Sequence, residues 1–580
     1  MRVCPPGRPV WGRRNLSYAL LLTAAFGAAS PMYANAQQRP PIPPSAEPGV
    51  AERQLQRLPE PARPDQAATS PLALPEIAAP QGARNIRFTP THLVISGNTQ
   101  VTTEELQKIA APLMGHEISL ADMYGAAGRM TARYRSAGFI LANVIIPAQE
   151  IADGTVRIQV IEGFISKINF EGAKIRADLL NSGRERLLRA KPLRATELER
   201  FLLLLNDLPG IVAQGILTPS QTVPGAAELT VKVEQEHVAV TLGANYRGSE
   251  LQGPGQFQAS LTLDSLFGIN DSTSLQYLQA FRAHELRLYA LGHTERLTAS
   301  GLDLTISGSH SEGAPDLRGA ESTFNLENNN TQGSVQLSYP LYRTRFSNLR
   351  IRAELTYHDG KTDIIGFPIY HDKISAARFG ISGDIVDPWR GVNIADLEFG
   401  KGLGIFGASK LGDPLASRPG GDPKFSKATL YLARLQSLGS GFSLLLAAEG
   451  QWAFTNLLSP EEFAFGGDQF GRAYDPSDLV GDSGAAGKAE LRYTKEFNDG
   501  LGLTLYGFGE TARLSRRLTP QETGVPAHDS ATDVGGGLRM TFRSWLTGYV
   551  EVAKPTNHVL SATDDKRTRV FGGLIYAFHF

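Results

Sequence analysis

The chain has 580 residues and a net charge of −1 at pH 7, from 57 basic and 58 acidic side chains. This balance gives no electrostatic reason to expect nucleic acid as a partner, and the length requires two or more domains. The 60 glycines and the ample aromatic residues favour many strands and turns over a bundle of helices.

The first 36 residues have the features of a signal peptide. A basic stretch ends at Arg14 and precedes an apolar segment at residues 16–29, which is short for a retained membrane anchor. Small residues at Ala34 and Ala36 match the pattern that signal peptidase recognises, which predicts cleavage between Ala36 and Gln37. The mature chain is therefore expected to be exported across the inner membrane.

Residues 37–86 form a predicted linker. Proline, alanine and glutamine dominate it, and proline at this density prevents a packed core. Within the linker, residues 47–58 have Pro48 near their start and helix-forming residues after it. This pattern predicts one short polar helix tethered by the linker.

Residues 87–163 and 164–236 are predicted to form two small α+β domains in tandem. In each of them, a strand is followed by two helices and then by two more strands. The last strand of the first copy is indicated by Val156, Ile158 and Val160, which alternate with polar residues. The two copies are each about seventy residues long and make an internal repeat.

Residues 237–580 contain a long series of strands in which apolar and polar positions alternate. This alternation is what a transmembrane β-barrel requires, with lipid outside and water inside. Roughly 340 residues, at about 21 per strand and connection, allow about sixteen antiparallel strands. The predicted fold is therefore a transmembrane β-barrel preceded by two α+β domains.

The end of the chain carries a predicted barrel assembly signal. From Val570 onward every second residue is apolar or glycine, and the series ends in Tyr576, Phe578 and Phe580. A terminal aromatic residue on an exposed tail is a liability in a soluble protein. Closure of a barrel and recognition by the barrel assembly machinery explain it, and the alternative is a buried last strand of a soluble sandwich.

Several short motifs occur in a defined order along the chain. They are Tyr134–Phe139, Ile146–Gln149, Gly154–Gly163, Leu205–Gly210, Asn245–Gly248 and Tyr549–Pro555. Together with the signal peptide, the linker and the terminal phenylalanine, they resemble the TpsB transporters of two-partner secretion, the haemolysin secretion/activation family, over essentially the whole mature chain. The resemblance implies two periplasmic POTRA domains, a barrel in the outer membrane of a Gram-negative bacterium, and a short helix that plugs the resting pore.

The resemblance also implies a loop that folds back into the pore, here at about residues 464–486. The residues in the place of the family's Val-Arg-Gly-aromatic motif are Phe470, Gly471, Arg472, Ala473 and Tyr474. In the family this arginine meets an acidic residue in an aromatic-x-Asp motif of the barrel wall, and the matching residues are Phe508 and Glu510. Glutamate keeps the charge and adds a methylene, which leaves the contact geometry open. The alternative is an ordinary solvated charge pair in the lumen.

Other motifs give no support for enzymatic chemistry. The only cysteine, Cys4, lies in the predicted signal peptide, so the mature chain has no thiol nucleophile, disulfide or cysteine-bound metal. Residues 481–484 copy a protease tetrapeptide without an accompanying histidine segment. Asp475, Asp478 and Asp482 depart from the spacing of a calcium-binding loop. We therefore expect no catalytic residue, no metal and no cofactor.

The expected function is secretion of one large exoprotein, of the TpsA adhesin or haemolysin type, through the barrel. The chain has no complete phosphate-binding loop signature, which predicts transport without nucleotide hydrolysis. The nearest alternative is an insertase that assembles other barrels, although such proteins usually carry more periplasmic domains and lack the plug. The second alternative is a passive porin, for which periplasmic domains have no use. Outer-membrane lipids and the barrel assembly machinery are the other expected partners.

Overall fold

The computed structural model describes residues 42–56, 58–61, 79–151, 153–268, 270–317, 325–522 and 525–580. The predicted signal peptide, with its cleavage site between Ala36 and Gln37, lies outside the described residues. Residues 37–41, 57 and 62–78 of the predicted linker lie outside them as well. Residues 42–580 belong to one structural unit.

A short stretch, termed here the N-terminal segment (residues 42–56 and 58–61), precedes the domains. It contains a 3-10 helix, Pro44–Ala46, and one α-helix, α1, Val50–Leu55. Gly49 has a φ of 86°, which glycine adopts without strain, and α1 begins directly after it. The helix is therefore shorter than the predicted 47–58. Three of its six residues are buried.

The first α+β domain consists of β1 (Arg87–Phe88), β2 (His92–Ser96), α2 (Thr103–Ala110), β3 (Ile118–Ser119), α3 (Leu120–Ser136), β4 (Asn143–Ile145) and β5 (Thr155–Ile161). Ser119 and Asp122 form a reciprocal capping box that starts α3. A sheet in the order β2-β5-β4 packs against the helices, and β2 is parallel to β5. Met123, Met130 and Tyr134 are fully buried, so α3 contributes the centre of this core.

The second α+β domain consists of β6 (Phe164–Gly172), α4 (Ala177–Arg189), α5 (Ala195–Asn206), β7 (Ile211–Pro219) and β8 (Ala226–Gln235). Its sheet has the order β6-β8-β7 with β6 parallel to β8, which repeats the arrangement of the first domain. Leu187 of α4 and Leu198 and Leu205 of α5 are buried in its core, because the apolar residues of these helices recur on one face. None of the helices in the described part of the chain is long and apolar enough to cross a membrane.

The remaining strands are β9 (Val238–Asn245), β10 (Gln256–Asp264), β11 (Asp271–Ala280), β12 (Arg287–Arg296), β13 (Asp303–Gly313), β14 (Leu326–Arg343), β15 (Ser347–Ile364), β16 (Phe367–Val386), β17 (Gly391–Leu403), β18 (Ser426–Gly439), β19 (Phe442–Ala453), β20 (Phe463–Phe465), β21 (Leu479–Gly481), β22 (Ser483–Glu496), β23 (Leu501–Ser515), β24 (His528–Phe542), β25 (Leu546–Pro555) and β26 (Arg569–His579). β20 and β21 pair only with each other, and the other sixteen form a closed barrel. Each barrel strand is antiparallel to its neighbours, and β26 closes the barrel on β9, with Tyr576 opposite Leu242 and Phe578 opposite Val240. The predicted barrel of about sixteen strands is thus confirmed.

The alternation along the strands gives the barrel two different faces. In β26, Val570 is 67% exposed and Phe571 is 5% exposed, so the even-numbered positions of this strand face outward. Leu242, Leu505 and Val550 are outward, exposed apolar side chains of other strands. Such a surface is unfavourable in water and favourable against lipid tails, so the barrel is built to span a membrane.

The two ends of the barrel have different connections. At one end, termed the domain end, β9 follows the second α+β domain, and the Phe580 carbonyl accepts a hydrogen bond from the His237 nitrogen at 2.9 Å. Short turns such as residues 344–346 join the strands there. At the opposite end, termed the loop end, most connections are longer and include residues 404–425 and 454–482, although β15 and β16 are joined there by residues 365–366 alone.

Candidate functional site

The connection between β19 and β22, residues 454–482, is termed the pore loop because it folds back into the barrel. Within it, β20 and β21 pair and hold its two limbs together. β22 begins at Ser483, so residues 483–486 of the predicted loop belong to the barrel wall. Gly466 has a φ of 121°, and a Cβ there would lie 2.0 Å from the carbonyl oxygen of Asp475. Only glycine fits this turn, which shapes the tip of the loop.

Arg472 lies in the lumen, where three carboxylates surround its guanidinium group. Its Nε is 2.8 Å from Glu510 Oε1, and its Nη1 is 2.7 Å from Glu490 Oε2 and 3.2 Å from Glu551 Oε2. The guanidinium carbon lies 3.4 Å from the centre of the Phe508 ring, which adds a cation–π contact. All five side chains are buried. A guanidinium group presents a rigid set of donors, so this arrangement fixes the loop in one position.

Wall carboxylates also hold the backbone of the loop. Glu510 Oε2 accepts hydrogen bonds from the nitrogens of Gly471 at 2.6 Å and Arg472 at 2.8 Å. Asp533 Oδ2 accepts another from the nitrogen of Ala473 at 2.7 Å. One carboxylate of the wall, Glu510, therefore binds both the arginine side chain and two successive amide groups.

Two further arginines offset the negative charge of this cluster. Arg247, at the end of β9, pairs with Glu551 and donates from Nη1 to the carbonyl oxygen of Arg472 at 3.1 Å. Arg569, at the start of β26, donates to the carbonyl oxygen of Ala473 at 3.2 Å and pairs with Asp475 at 2.7 Å. The pore loop is thus attached through both side chains and backbone to the wall formed by β22–β26 and the end of β9.

The N-terminal segment also lies inside the barrel, against β11–β14. Ser311 Oγ donates to Glu52 Oε1 at 2.6 Å, and Asn328 Nδ2 donates to the carbonyl oxygen of Ala46 at 2.6 Å. Ala51 packs in an apolar cluster with Leu278, Ala280, Leu286 and Leu288. A cavity of about 860 Å³ remains in the lumen between this segment, the barrel wall and the pore loop.

The side chain of Gln469 links the N-terminal segment to the tip of the pore loop. Its Oε1 accepts from the nitrogen of Leu58 at 2.9 Å, and its Nε2 donates to the carbonyl oxygen of Gln56 at 2.7 Å. The carbonyl oxygen of Gln469 in turn accepts from Lys488 Nζ of β22 at 2.9 Å. Two elements that occupy the lumen are therefore in direct contact.

At the loop end, Arg418 of the 404–425 loop holds both limbs of the pore loop. Its side chain is 3.2 Å from Glu462 on one limb, 2.6 Å from Asp482 on the other and 2.7 Å from Glu522 of a third loop. Of the aspartates weighed as calcium ligands, Asp482 thus pairs with an arginine, as Asp475 does. The third, Asp478, accepts a hydrogen bond from the nitrogen of Ser561 at 3.3 Å.

At the domain end, ion pairs attach the second α+β domain to the barrel. Arg343 of β14 donates to both oxygens of Asp207, at 3.0 and 2.7 Å. Arg176 pairs with Glu295 of β12 at 3.0 Å. Two parallel hydrogen bonds to one carboxylate fix orientation as well as distance, so the second domain is held at the mouth of the barrel.

The structure brings Arg472, Phe508 and Glu510 together, as the resemblance implied. The neighbouring aromatic residues have contacts of their own: Lys488 Nζ lies 5.1 Å from the centre of the Phe470 ring, and the Tyr474 hydroxyl donates to the carbonyl oxygen of Thr532 at 3.0 Å. The remaining predicted site residues lie elsewhere, on the outer face of the last strand, and are Tyr576, Phe578 and Phe580.

Sequence reasoning missed four partners of the loop. They are Arg247, Glu490, Asp533 and Glu551. The alternation of strand residues places the three acidic ones on the lumen side, and this is a signal that the sequence contains. The alternation does not indicate which of the lumen carboxylates contact the tip of the pore loop, which enters the barrel from the loop end.

Comparison with known proteins agrees with the fold of the barrel and of the first α+β domain. The family model described as haemolysin secretion/activation protein ShlB/FhaC/HecB matches residues 225–519, and a model of the ShlB-type POTRA domain matches residues 88–163. The heme/hemopexin transporter protein HuxB of Haemophilus influenzae is 25% identical over 553 residues, which cover 89% of this chain and 91% of that protein. The hemolysin transporter protein ShlB of Serratia marcescens is 25% identical over 519 residues, with coverages of 86% and 87%.

A solved structure has the same fold. CdiB from Escherichia coli superposes with a TM-score of 0.67 at 19% sequence identity, over 89% of this chain and 94% of that one. The family model covers more than half of the present chain. The localisation predicted for the chain is confirmed: the barrel lies in the outer membrane and the POTRA domains lie in the periplasm. The domain end is therefore periplasmic and the loop end faces the outside of the cell. This chain belongs to the haemolysin secretion/activation protein family ShlB/FhaC/HecB, the TpsB transporters of two-partner secretion.

Proposed function

We propose that this transporter captures an unfolded exoprotein in the periplasm and passes it through the barrel lumen to the outside, without hydrolysing nucleotide. The observation that carries this proposal is that the lumen is occupied by elements that are not part of its wall. The pore loop is attached by hydrogen bonds and ion pairs, and the N-terminal segment continues into a proline-rich linker. Such elements can move aside without breaking the barrel.

The two α+β domains supply a surface for capture. The two outer strands of each three-stranded sheet pair with a neighbour on one side only, and β7 is such an edge strand in the second domain. Val212 and Ile216 lie exposed on β7. An extended chain can add to such an edge through main-chain hydrogen bonds, with exposed apolar residues beside it for its side chains. Because main-chain bonding does not depend on sequence, it suits an unfolded partner.

The proposed partner is one large secreted exoprotein of the adhesin or haemolysin type. Two relatives are named a heme/hemopexin transporter and a hemolysin transporter, and each matches this chain along almost its full length. Folding of the exoprotein outside the cell would bias the passage and replace a nucleotide as the driving force. In the same proposal, the outer face of Tyr576, Phe578 and Phe580 is read by the barrel assembly machinery and then meets lipid.

The experiment is secretion of the large exoprotein encoded beside this gene. Cells carry the wild type, a deletion of residues 88–234, or Arg472→Ala, and insertion of each barrel is checked by heat-modifiable gel mobility. Arg434→Ala is the matched control, because Arg434 forms its ion pair with Asp387 at a periplasmic turn, away from the pore loop. We expect normal insertion of all forms, with loss of secretion in the deletion and a large decrease in Arg472→Ala only.

Two other outcomes would contradict the proposed function or the proposed partner. If the deletion leaves secretion intact while other outer-membrane proteins fail to assemble, the chain acts as an insertase and the proposed function is wrong. If no form, including the wild type, secretes the exoprotein, the proposed partner is wrong.

A further inference from the structure

The wall of the lumen is divided into two halves of different chemistry. The lumen-facing positions of β9–β14, termed here the neutral wall, carry hydroxyl and amide side chains such as Ser274, Gln276, Ser307 and Gln332. In these described strands, lumen-facing charges stand only at the periplasmic ends, and these residues are Asp264, Arg296, Asp303 and Arg343. The middle of this wall has no fixed charge along its described strands.

The other half, the lumen-facing positions of β15–β19 and β22–β26, is termed the charged wall. It holds Arg378, Lys427, Glu449, Glu490, Arg492, Glu510, Asp533 and Glu551. The tip of the pore loop is bound on this side through Arg472. The arginine of the loop and the carboxylates of the charged wall therefore offset each other's charge.

The neutral wall is covered by the N-terminal segment. The helix α1 lies there, with Ser311 bonded to Glu52 and with Ala51 packed beside Leu278 and Leu288. Residues 56 and 58–60 reach across the lumen, toward Gln469, Tyr431 and Arg492. The Arg53 side chain also donates from Nη1 to the carbonyl oxygen of Ser459 in the pore loop, at 3.5 Å. A stretch of polypeptide thus already lies along this side of the pore, and its Glu52 carboxylate is bonded to a wall hydroxyl and not to a wall charge.

We propose that the neutral wall is the path of the exoprotein, which passes along β9–β14 in extended form in the space that α1 vacates, while the pore loop stays bound to the charged wall. This inference rests on the proposed function. A helix with its side chains is about 10–12 Å across, so the space it leaves admits an extended chain. The cavity beside it widens the same passage.

The chemistry of the neutral wall suits a partner of any sequence. Its hydroxyls bond to one another in the closed state, as Thr294 with Thr305 at 3.0 Å and Ser307 with Ser334 at 2.9 Å. Each hydroxyl can exchange this bond for a bond to a main-chain group, because a hydrogen bond between neutral groups is weak in water. A fixed charge in a partly desolvated lumen attracts an opposite charge on the passing chain much more strongly than a hydroxyl attracts a main-chain group. Passage along hydroxyls therefore avoids the long pauses that charged contacts would cause.

Gln469 provides a contact on the opposite side of this path. Its amide binds the main chain of the N-terminal segment at Leu58 and Gln56, through one donated and one accepted hydrogen bond. Any extended chain offers the same pair of groups. The tip of the pore loop thus binds a passing chain in the way that it binds the resting segment.

The test is cross-linking of a stalled exoprotein to single cysteines in the lumen. Ser307→Cys and Ser274→Cys lie on the neutral wall, and Thr429→Cys is the matched control on the charged wall, since all three residues line the same cavity. The only native cysteine lies in the predicted signal peptide, so each introduced thiol is unique. The probe is the exoprotein encoded beside this gene, with single cysteines in its extended stretch and a fast-folding domain at its C-terminus that stalls export.

We expect disulfide adducts from Ser307→Cys and Ser274→Cys to exceed those from Thr429→Cys by about tenfold or more, since an extended chain held by hydrogen bonds to one wall stays beside it. Export of the unfused exoprotein and heat-modifiable mobility are measured for each variant. Equal adducts from both walls, or adducts mainly from Thr429→Cys, overturn the path while the proposed function stands. If the wild type exports no exoprotein, the proposed partner is wrong, and the path fails with it.

Discussion

Glu510→Gln tests whether the wall carboxylate holds the pore loop. Glu510 accepts three hydrogen bonds from the loop, from the backbone nitrogens of Gly471 and Arg472 and from Arg472 Nε. A hydrogen bond to a charged group contributes about 1.5–3 kcal/mol and a neutral one about 0.5–1.5 kcal/mol, so neutral glutamine weakens each bond by about 1 kcal/mol. The total of about 3 kcal/mol corresponds to about a 100-fold shift toward the released loop.

Hydrogen exchange of backbone amides, followed by mass spectrometry on the purified full chain, measures this shift directly. The amides of Gly471, Arg472 and Ala473 exchange only when the loop leaves the wall, because carboxylates accept their hydrogens. We expect the peptide that covers them to exchange about 100-fold faster in Glu510→Gln. Glu449→Gln is the matched control, the same substitution on β19 beside the lumen cavity.

The result would refute this reasoning if exchange in Glu510→Gln rose by less than about tenfold, which is about 1.4 kcal/mol. An equal effect of Glu449→Gln would also refute it, because a general change in lumen charge would then explain the result. Glu510→Asp separates charge from reach. It keeps the carboxylate and shortens the side chain by one methylene, so we expect it to lose the two backbone contacts and to exchange faster than the wild type.

Asp207→Asn removes the charged partner of Arg343. We expect a broader distribution of spin-label distances between the second POTRA-type domain and the barrel, with Asp178→Asn, an exposed partner of Arg176, as a control that leaves it unchanged. In the first domain, burial raises the pKa of Glu162, but hydrogen bonds from Thr99 outweigh it and hold this pKa below 4.5. The stabilisation is present above pH 4.5 and is lost as pH falls through the lowered pKa, so the 98–101 peptide should lose protection in acid, measured relative to the intrinsic exchange rate at each pH, and Glu162→Gln should remove this pH dependence. Phe580→Ala should lower the amount of heat-modifiable barrel several-fold, while Val570→Ala, on the same outer face, should not; equal losses would contradict the assembly signal.

The fold could be predicted from the sequence because each of its elements has a local pattern. Alternating residues produced the barrel, and the repeated order of strand, helix, helix, strand and strand produced the two domains. The short helix lies within the predicted range 47–58 but is shorter than predicted. Helix propensity does not indicate that Gly49 adopts a left-handed backbone conformation, after which the helix begins. The apolar character of residues 139–142 also favours a strand, whereas β4 is Asn143–Ile145 alone. Their side chains instead pack within the two domain cores, as Phe139 and Leu141 show.

The candidate site was only partly predictable. Arg472 and Glu510 were paired through a family resemblance, whereas Glu490, Asp533 and Glu551 were not singled out. Which of them reaches Arg472 depends on the stagger of neighbouring strands and on how deep the loop enters, and neither quantity is a local property of the sequence. The contact from Arg472 to Glu551 joins residues 79 positions apart. Such contacts are visible only once the barrel has closed.

The two elements in the lumen differ in how strongly they are held, and this difference sets the order in which they should move. The loop is bound by charge-assisted hydrogen bonds to Glu490, Glu510 and Asp533, each worth about 1.5–3 kcal/mol. The N-terminal segment has one ion pair, of Glu60 with Arg492, and one bond from a hydroxyl to the Glu52 carboxylate. Its other contacts involve amide or main-chain groups, such as the bond from Asn328, and small apolar side chains such as Ala51. An incoming chain competes with the weaker set first. We therefore expect the segment to leave while the loop remains, so that the space along the neutral wall opens while the charged wall stays covered.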